Sequence, residues 1–130
     1  MIVLDTDVII KLIDKKHTPF QSVLINKLEE IQDEDIVTTA LNLEELLYGL
    51  CKRNKIIDFS HPIFRLEVLP FNAETAMRAA QLEHYLQKKG KKKTRGDILI
   101  ASIVLEQNAT LFTLHTKKFE DFEDLSLVKF

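Results

Sequence analysis

An α/β fold built on a parallel sheet with helices on both faces is what this sequence predicts, and two observations carry the prediction. The chain opens Met1-Ile2-Val3-Leu4-Asp5-Thr6-Asp7-Val8-Ile9-Ile10, an apolar run that meets an acidic break and then resumes. A short continuous apolar run bounded in this way reads as a strand buried on both faces. Further on, short β-rich runs alternate with longer segments of helical spacing, a βαβα order that implies parallel strands joined by right-handed crossovers. Asp5 then falls at the carboxyl end of a central strand, where open α/β sheets place their ligands. An acid in that place is costly unless a cation neutralises it, and a divalent metal is the obvious one.

The elements follow in order. Thr6 or Asp7 is expected to cap the first helix, with Val8, Ile9, Leu12 and Ile13 on its buried face. Lys15-Lys16-His17-Thr18-Pro19 is a turn that hands Thr18 to the next helix as N-cap and Pro19 as its first residue. That helix spans about 20–31, with Val23, Leu24, Leu28 and Ile31 on one face. Asp33-Glu34-Asp35 is a solvated turn, and Ile36-Val37-Thr38-Thr39 a β-branched strand. Residues 41–51 return to helical spacing through Leu43, Leu46, Leu47 and Leu50, with Glu44 and Glu45 between them. Residues 52–62 form a polar connection with a short apolar patch, and Glu67-Val68-Leu69-Pro70 is another short strand. Asn72 caps a long helix to about residue 89. A basic loop, Lys88-Lys89-Gly90-Lys91-Lys92-Lys93-Thr94-Arg95-Gly96, leads to Asp97, which opens a helix closed by Asn108. Ala109-Thr110-Leu111-Phe112-Thr113 is a buried strand, and Leu125-Ser126-Leu127-Val128 an edge strand.

Length and composition set the frame. The 130 residues are enough for one domain, 1–130, with a real core, and the 45% hydrophobic and 29% charged shares suit a soluble globular protein. A net charge of −2 excludes a protein that coats nucleic acid by bulk positive charge, though local basic patches can still bind it. The one cysteine, Cys51, excludes an internal disulfide, fits a reducing cytosol, and is read as a packed apolar residue. Asp5 and Asp7 interrupt the amino-terminal apolar stretch, so it is no signal peptide, and no run approaches the roughly 18 apolar residues of a membrane span. A cytoplasmic location without membrane attachment is expected.

Three acids stand out once the elements are placed. Asp5 ends the first strand, Glu45 lies on a helix whose neighbours must face the core, and Asp97 opens a helix behind a basic loop. Each has a bland reading as well: Asp97 as an N-cap, Glu45 as a solvated helix residue like Glu44 beside it, Asp5 as a strand-end polar residue. Oxygen ligands drawn from several elements suit Mg²⁺ or Mn²⁺, which activate water and stabilise a phosphate in flight. The argument gains its force from the set.

Four stretches in order resemble the PIN domain, and within it the VapC-type toxin ribonucleases of toxin–antitoxin pairs. They are Val3-Leu4-Asp5-Thr6-Asp7-Val8-Ile9-Ile10, Leu43-Glu44-Glu45-Leu46-Leu47-Tyr48-Gly49, Arg95-Gly96-Asp97-Ile98-Leu99-Ile100-Ala101 and Ala109-Thr110-Leu111-Phe112-Thr113-Leu114-His115-Thr116-Lys117-Lys118-Phe119. The resemblance covers essentially the whole chain. It implies a three-layer α/β/α sandwich with a central parallel sheet of four to five short strands. It also implies an Mg²⁺- or Mn²⁺-dependent endoribonuclease whose metal-holding acids fall on Asp5, Glu45 and Asp97. Glu45 is chosen over Glu44 because the motif runs acid-Leu-Leu-Tyr-Gly.

The fourth position departs from the family. Its strand ends in threonine, any residue, then aspartate or asparagine, where this chain has Thr113-Leu114-His115. His115 is counted among the site residues with three readings open: a metal ligand that tilts preference towards Mn²⁺ or a later metal, a group that positions water or contacts phosphate, or a residue in a tolerant place behind the ligands. Thr6 and Thr113 are expected to steady the carboxylates, and Arg95 to contact a phosphate. Asp7 is explained equally well as a helix cap. His17, His61 and His84 read as surface or packing residues.

Two rival readings compete with this one. A haloacid-dehalogenase-type phosphatase also places Asp-x-Asp after its first strand, but its motif has threonine where this chain has Ile9. A catalytically decayed PIN-like module that binds RNA or a protein partner is the stronger rival, and retention of three acids speaks against it. The resemblance further implies RNA as substrate, a cognate VapB-type antitoxin and a homodimer. Ile9, Leu12, Ile13, Phe20 and Leu24 on the first two helices are candidate contacts, though core packing explains most of them.

Overall fold

A computed structural model describes residues 1–55 and 58–129. Five strands, β1 (Ile2–Leu4), β2 (Ile36–Thr39), β3 (Glu67–Leu69), β4 (Thr110–Phe112) and β5 (Ser126–Leu127), form one sheet in the order β3-β2-β1-β4-β5. Every pairing is parallel, with Leu4 opposite Phe112 and Val3 opposite both Val37 and Leu111. Among the described residues five α-helices accompany them: α1 (Thr6–Ile13), α2 (Pro19–Glu30), α3 (Ala40–Lys52), α4 (Ala73–Lys88) and α5 (Arg95–Glu106).

The alternation of side chains along the strands divides the core into two layers. Val3, Val37, Leu69 and Leu111 point to the face covered by α4 and α5, where they meet Ala79, Leu86, Ala101 and Val104. Ile2, Leu4 and Phe112 point the other way and pack against Val8 and Ile9 of α1, Leu24 of α2 and Leu46 of α3. Many of these side chains are fully buried, and each such Val, Leu or Ile contributes about 1.5–3 kcal/mol relative to exposure. The result is the expected α/β/α sandwich.

Because β1 lies between β2 and β4, the chain leaves it in one direction towards α1 and α2 and returns on its other side only at β4. The carboxyl ends of β1 and β4 therefore face one crevice, the place where the order of the sheet reverses. Asp5 N donates to Phe112 O at 2.9 Å and so carries the sheet one residue past β1.

Several local expectations are corrected. The cap of α1 is Asp5, not Thr6 or Asp7: Asp5 keeps extended backbone (φ −73°, ψ 159°) because the sheet holds it, and its carboxylate accepts from Thr6 N. Asp97 does not open α5. Thr94 caps that helix by accepting from Asp97 N, and Asp97 sits inside the first turn. Cys51 is exposed on the last turn of α3 rather than packed. Ile9 and Leu24 are core residues, whereas Ile13 and Phe20 remain exposed together with Ile10 and Val23. Two short 3-10 turns, Pro62–Arg65 and Thr116–Phe119, punctuate segments read as connection and tail. The apolar patch of the 52–62 connection at Ile56 and Ile57 lies outside the described residues. Among the described residues no helix is long and apolar enough to cross a membrane.

Candidate active site

Four elements deliver side chains to the crevice at the carboxyl edge of β1 and β4. Asp5 is its centre. Its Oδ1 accepts from Thr6 N at 2.9 Å and from Asn42 Nδ2 at 2.7 Å, and its Oδ2 accepts from Thr113 Oγ1 at 2.6 Å. Burial pushes the Asp5 carboxyl above its ordinary range, the Thr113 hydrogen bond opposes that rise, and the negative charge of Asp7 adds to it.

Glu45 comes from α3. The strand β2 ends at Thr39, which caps α3 by accepting from Asn42 N, and this fixes the phase of the helix. Glu45 then faces the amino end of α1, where Thr6 Oγ1 donates to its Oε2 at 2.8 Å. Its Oε1 stands 3.8 Å from the place a side chain on Gly96 would occupy, so α3 and the first turn of α5 approach closely here. Although Glu45 has an exposed surface, partial desolvation raises its pKa; the Thr6 bond resists, and the charges of Asp5, Asp97 and Glu44 add to the rise. Glu45 thus feels the negative charge of both Asp5 and Asp97.

Asn42 is the site residue that sequence reasoning missed. It is wholly buried, accepts from Thr39 Oγ1 at 2.7 Å, and donates from Nδ2 to both Asp5 Oδ1 and Thr6 Oγ1. Its signal was a polar residue three positions before Glu45, on the face of α3 that points at the strand ends. A second omission is the partnership of Asp7 with His115. Asp7 Oδ2 accepts from Leu114 N at 3.1 Å and lies 2.5 Å from His115 Nδ1, while Asp7 Oδ1 is buried with no hydrogen-bond partner among the described residues. His115 N donates to Thr113 Oγ1 at 3.1 Å, so the backbone of this turn is tied to the hydroxyl that holds Asp5.

The basic loop is more internally matched than its composition suggests. Lys89 pairs with Glu123, and Lys91 and Lys93 both pair with Asp121. Arg95 is 78% exposed and only loosely paired with Glu83 at 3.5 Å, leaving its guanidinium open to solvent. His17 and His61 have local partners, Gln21 Oε1 and Ile63 N, and take no part in the crevice.

Whether these residues suit a divalent cation is decided by charge and donor type. Asp5, Glu45 and Asp97 offer hard oxygen donors, and among the described residues none of the three is in an ion pair with a basic side chain. The repulsion that Asp5 and Asp97 exert on Glu45 favours a positive charge there. Among the described residues, however, no three His, Cys, Asp or Glu side chains are already gathered as a ligand cluster. The donor types fit such an ion.

Comparison with known proteins places the fold. The model of the PIN domain family matches residues 2–125. Ribonuclease VapC2 of Rickettsia felis is 30% identical over 129 residues, covering 95% of this chain and 93% of that protein. The crystal structure of VapBC2 from Rickettsia felis, bound to a DNA fragment from their promoter, superposes with a TM-score of 0.82 at 29% identity, covering 100% of this chain and 99% of that one. FitAcB from Neisseria gonorrhoeae shares the fold at a TM-score of 0.81 and 23% identity, over 99% of this chain and 97% of that one. With the family model spanning nearly the whole length and the acids at the sheet edge, this chain belongs to the PIN-domain family.

Proposed function

We propose that this protein is a divalent-metal-dependent endoribonuclease that hydrolyses RNA phosphodiester bonds, acting in the cytoplasm as the toxin of a VapBC-type pair. The observation that carries the reading is the meeting of Asp5 and Glu45 through Thr6 and Asn42, with Gly96, next to Asp97, facing Glu45 Oε1, and none of the three acids ion-paired with a basic side chain among the described residues. The full-length similarity to a named ribonuclease supports it.

Asp5, Glu45 and Asp97 would hold the ion, Mg²⁺ or Mn²⁺. When bound, such an ion supplies an activated water and stabilises charge that develops on the phosphoryl oxygens. The chain's own residues do the rest. Thr113 and Asn42 fix both oxygens of Asp5, and Thr6 fixes one oxygen of Glu45, so the two carboxylates are aimed before substrate arrives. Arg95, exposed beside Asp97, offers a planar fork of donors to an RNA phosphate. No covalent intermediate is required.

Partners follow from the relatives, whose structures are described as VapBC and FitAB assemblies. A VapB-type antitoxin and a second copy of this chain are the partners we assign. The exposed apolar residues Ile10, Ile13, Phe20 and Val23 on α1 and α2 offer a surface for such contacts. The testing experiment is cleavage of end-labelled single-stranded RNA by purified protein in Mg²⁺, Mn²⁺ or EDTA. Cutting is expected with either metal and not in EDTA; cutting that persists undiminished in EDTA would refute the metal centre.

A further inference from the structure

We propose that His115 donates a proton to the leaving oxygen of the scissile phosphodiester and that Asp7 is its positioning residue. The proposal rests on the ribonuclease reading above and extends it to a residue pair which that reading leaves unused. Asp7 is not among the carboxylates assigned to the ion.

The geometry is that of a held imidazole. Asp7 Oδ2 is fixed by Leu114 N and lies 2.5 Å from His115 Nδ1, which commits that ring nitrogen to the carboxylate. Only Nε2 is left to meet substrate. The His115 side chain is 59% exposed and the Asp7 side chain 19%, so the ring is open to solvent while its partner is largely covered. It also stands beside the acids. Thr113 Oγ1 is 2.6 Å from Asp5 Oδ2 and 3.4 Å from Asp7 Oδ2, and it accepts from His115 N. One hydroxyl therefore separates the imidazole's partner from the central carboxylate. The role is one the three acids cannot fill, because carboxylates that hold a cation are anions without a proton to give.

The step balances. A bond forms between phosphorus and the water-derived oxygen, and the bond between phosphorus and the leaving oxygen breaks with its electron pair on that oxygen. The leaving oxygen takes the Nε2 proton of the protonated ring. The proton lost by the water passes to solvent, from which the ring is recharged.

The test uses two RNA oligonucleotides, one natural and one with sulfur in place of the bridging leaving oxygen, since a thiolate departs without being protonated. For the natural substrate, His115→Ala is expected to lower the single-turnover rate about 100-fold. For the sulfur substrate it is expected to lower it less than about threefold, because the transfer it removes is no longer needed. Asp7→Asn should show the same pattern with a smaller loss, of about tenfold on the natural substrate, because Asn holds the ring less firmly. Thermal melting of both variants checks that they fold. Equal losses on the two substrates, or none on either, would overturn the proposal and return His115 to a structural or metal-holding part. Should wild type cleave neither substrate, the ribonuclease reading itself would fall, and this one with it.

Discussion

Thr113 Oγ1 donates to Asp5 Oδ2 at 2.6 Å, joining residues 108 apart in sequence at the point where β1 and β4 end side by side. Thr113 is 1% exposed, so its hydroxyl has no water to fall back on. Thr113→Val keeps the shape and removes the donor, leaving a buried carboxylate oxygen short of a partner. A loss of about 1–3 kcal/mol in urea unfolding is expected, with Thr113→Ser losing much less. Equal stability of Thr113→Val and wild type would show that the bond does not hold Asp5.

Asn42 joins three elements through one buried amide, touching Thr39, Thr6 and Asp5. Asn42→Ala strips a donor from Asp5 and from Thr6 and leaves the Thr39 hydroxyl without its acceptor. It should cost about 1–3 kcal/mol in stability and reduce cleavage as well, since Glu45 is aimed through Thr6. Unfolding midpoints together with cleavage rates check both halves.

The raised carboxyls give a pH dependence with a definite sign. Asp5 and Glu45 titrate above their ordinary values of 3.8 and 4.5 in the folded protein. The metal-free native state therefore holds these protons more tightly than the unfolded chain. Stability falls as pH rises from the ordinary to the raised value, and the loss is complete above the raised value. Glu45→Gln keeps an acceptor for Thr6 and removes the charge. In EDTA it should melt above wild type at neutral pH, with the gap closing as pH falls from the raised value towards 4.5 and gone below it. Divalent metal should then stabilise wild type and not the variant. A variant that melts below wild type in EDTA at pH 7 would contradict the repulsion.

Gln21 is a structural device outside the crevice. It is 4% exposed, and its Nε2 reaches the carbonyls of Lys11, Leu12 and Asp14 at 2.9–3.2 Å, closing the carboxyl end of α1 from inside α2. Gln21→Ala should lose about 1–3 kcal/mol, because terminal carbonyls are left without a donor. Gln21→Glu should lose more, since a carboxylate cannot donate and repels the negative end of the helix. Chemical unfolding of the two variants orders them; Gln21→Glu as stable as wild type would contradict this account.

Much of the fold was legible because its strands are short apolar runs and its helices amphipathic. Thr18 and Pro19 start α2, and Asn72 starts α4, as their types suggest. The cap of α1 was not legible, because Asp5, Thr6 and Asp7 are all good cap residues and only the bond from Asp5 N to Phe112 O chooses among them. Asp97 was misread as a helix start because Thr94, hidden in a basic run, does the capping. The 3-10 turns are shorter than any period can reveal. At the site, Asp5 was readable as an acid at a strand end, Asp97 as an acid near a helix start, and Glu45 through the Leu-Leu-Tyr-Gly that follows it. The pairing of Asp7 with His115 was not, since it depends on β4 returning beside β1, a relation of topology that neither segment encodes alone.

The central claim is that Asp5, Glu45 and Asp97 form one metal-dependent nuclease centre, and paired RNA cleavage by wild type and Asp97→Asn tests it most directly. End-labelled single-stranded RNA would be incubated with each protein in Mn²⁺, purified side by side. Wild type is expected to cut, and Asp97→Asn to fall by at least about 100-fold while melting at or above the wild-type temperature in EDTA. Equal cutting by the two folded proteins would contradict the account.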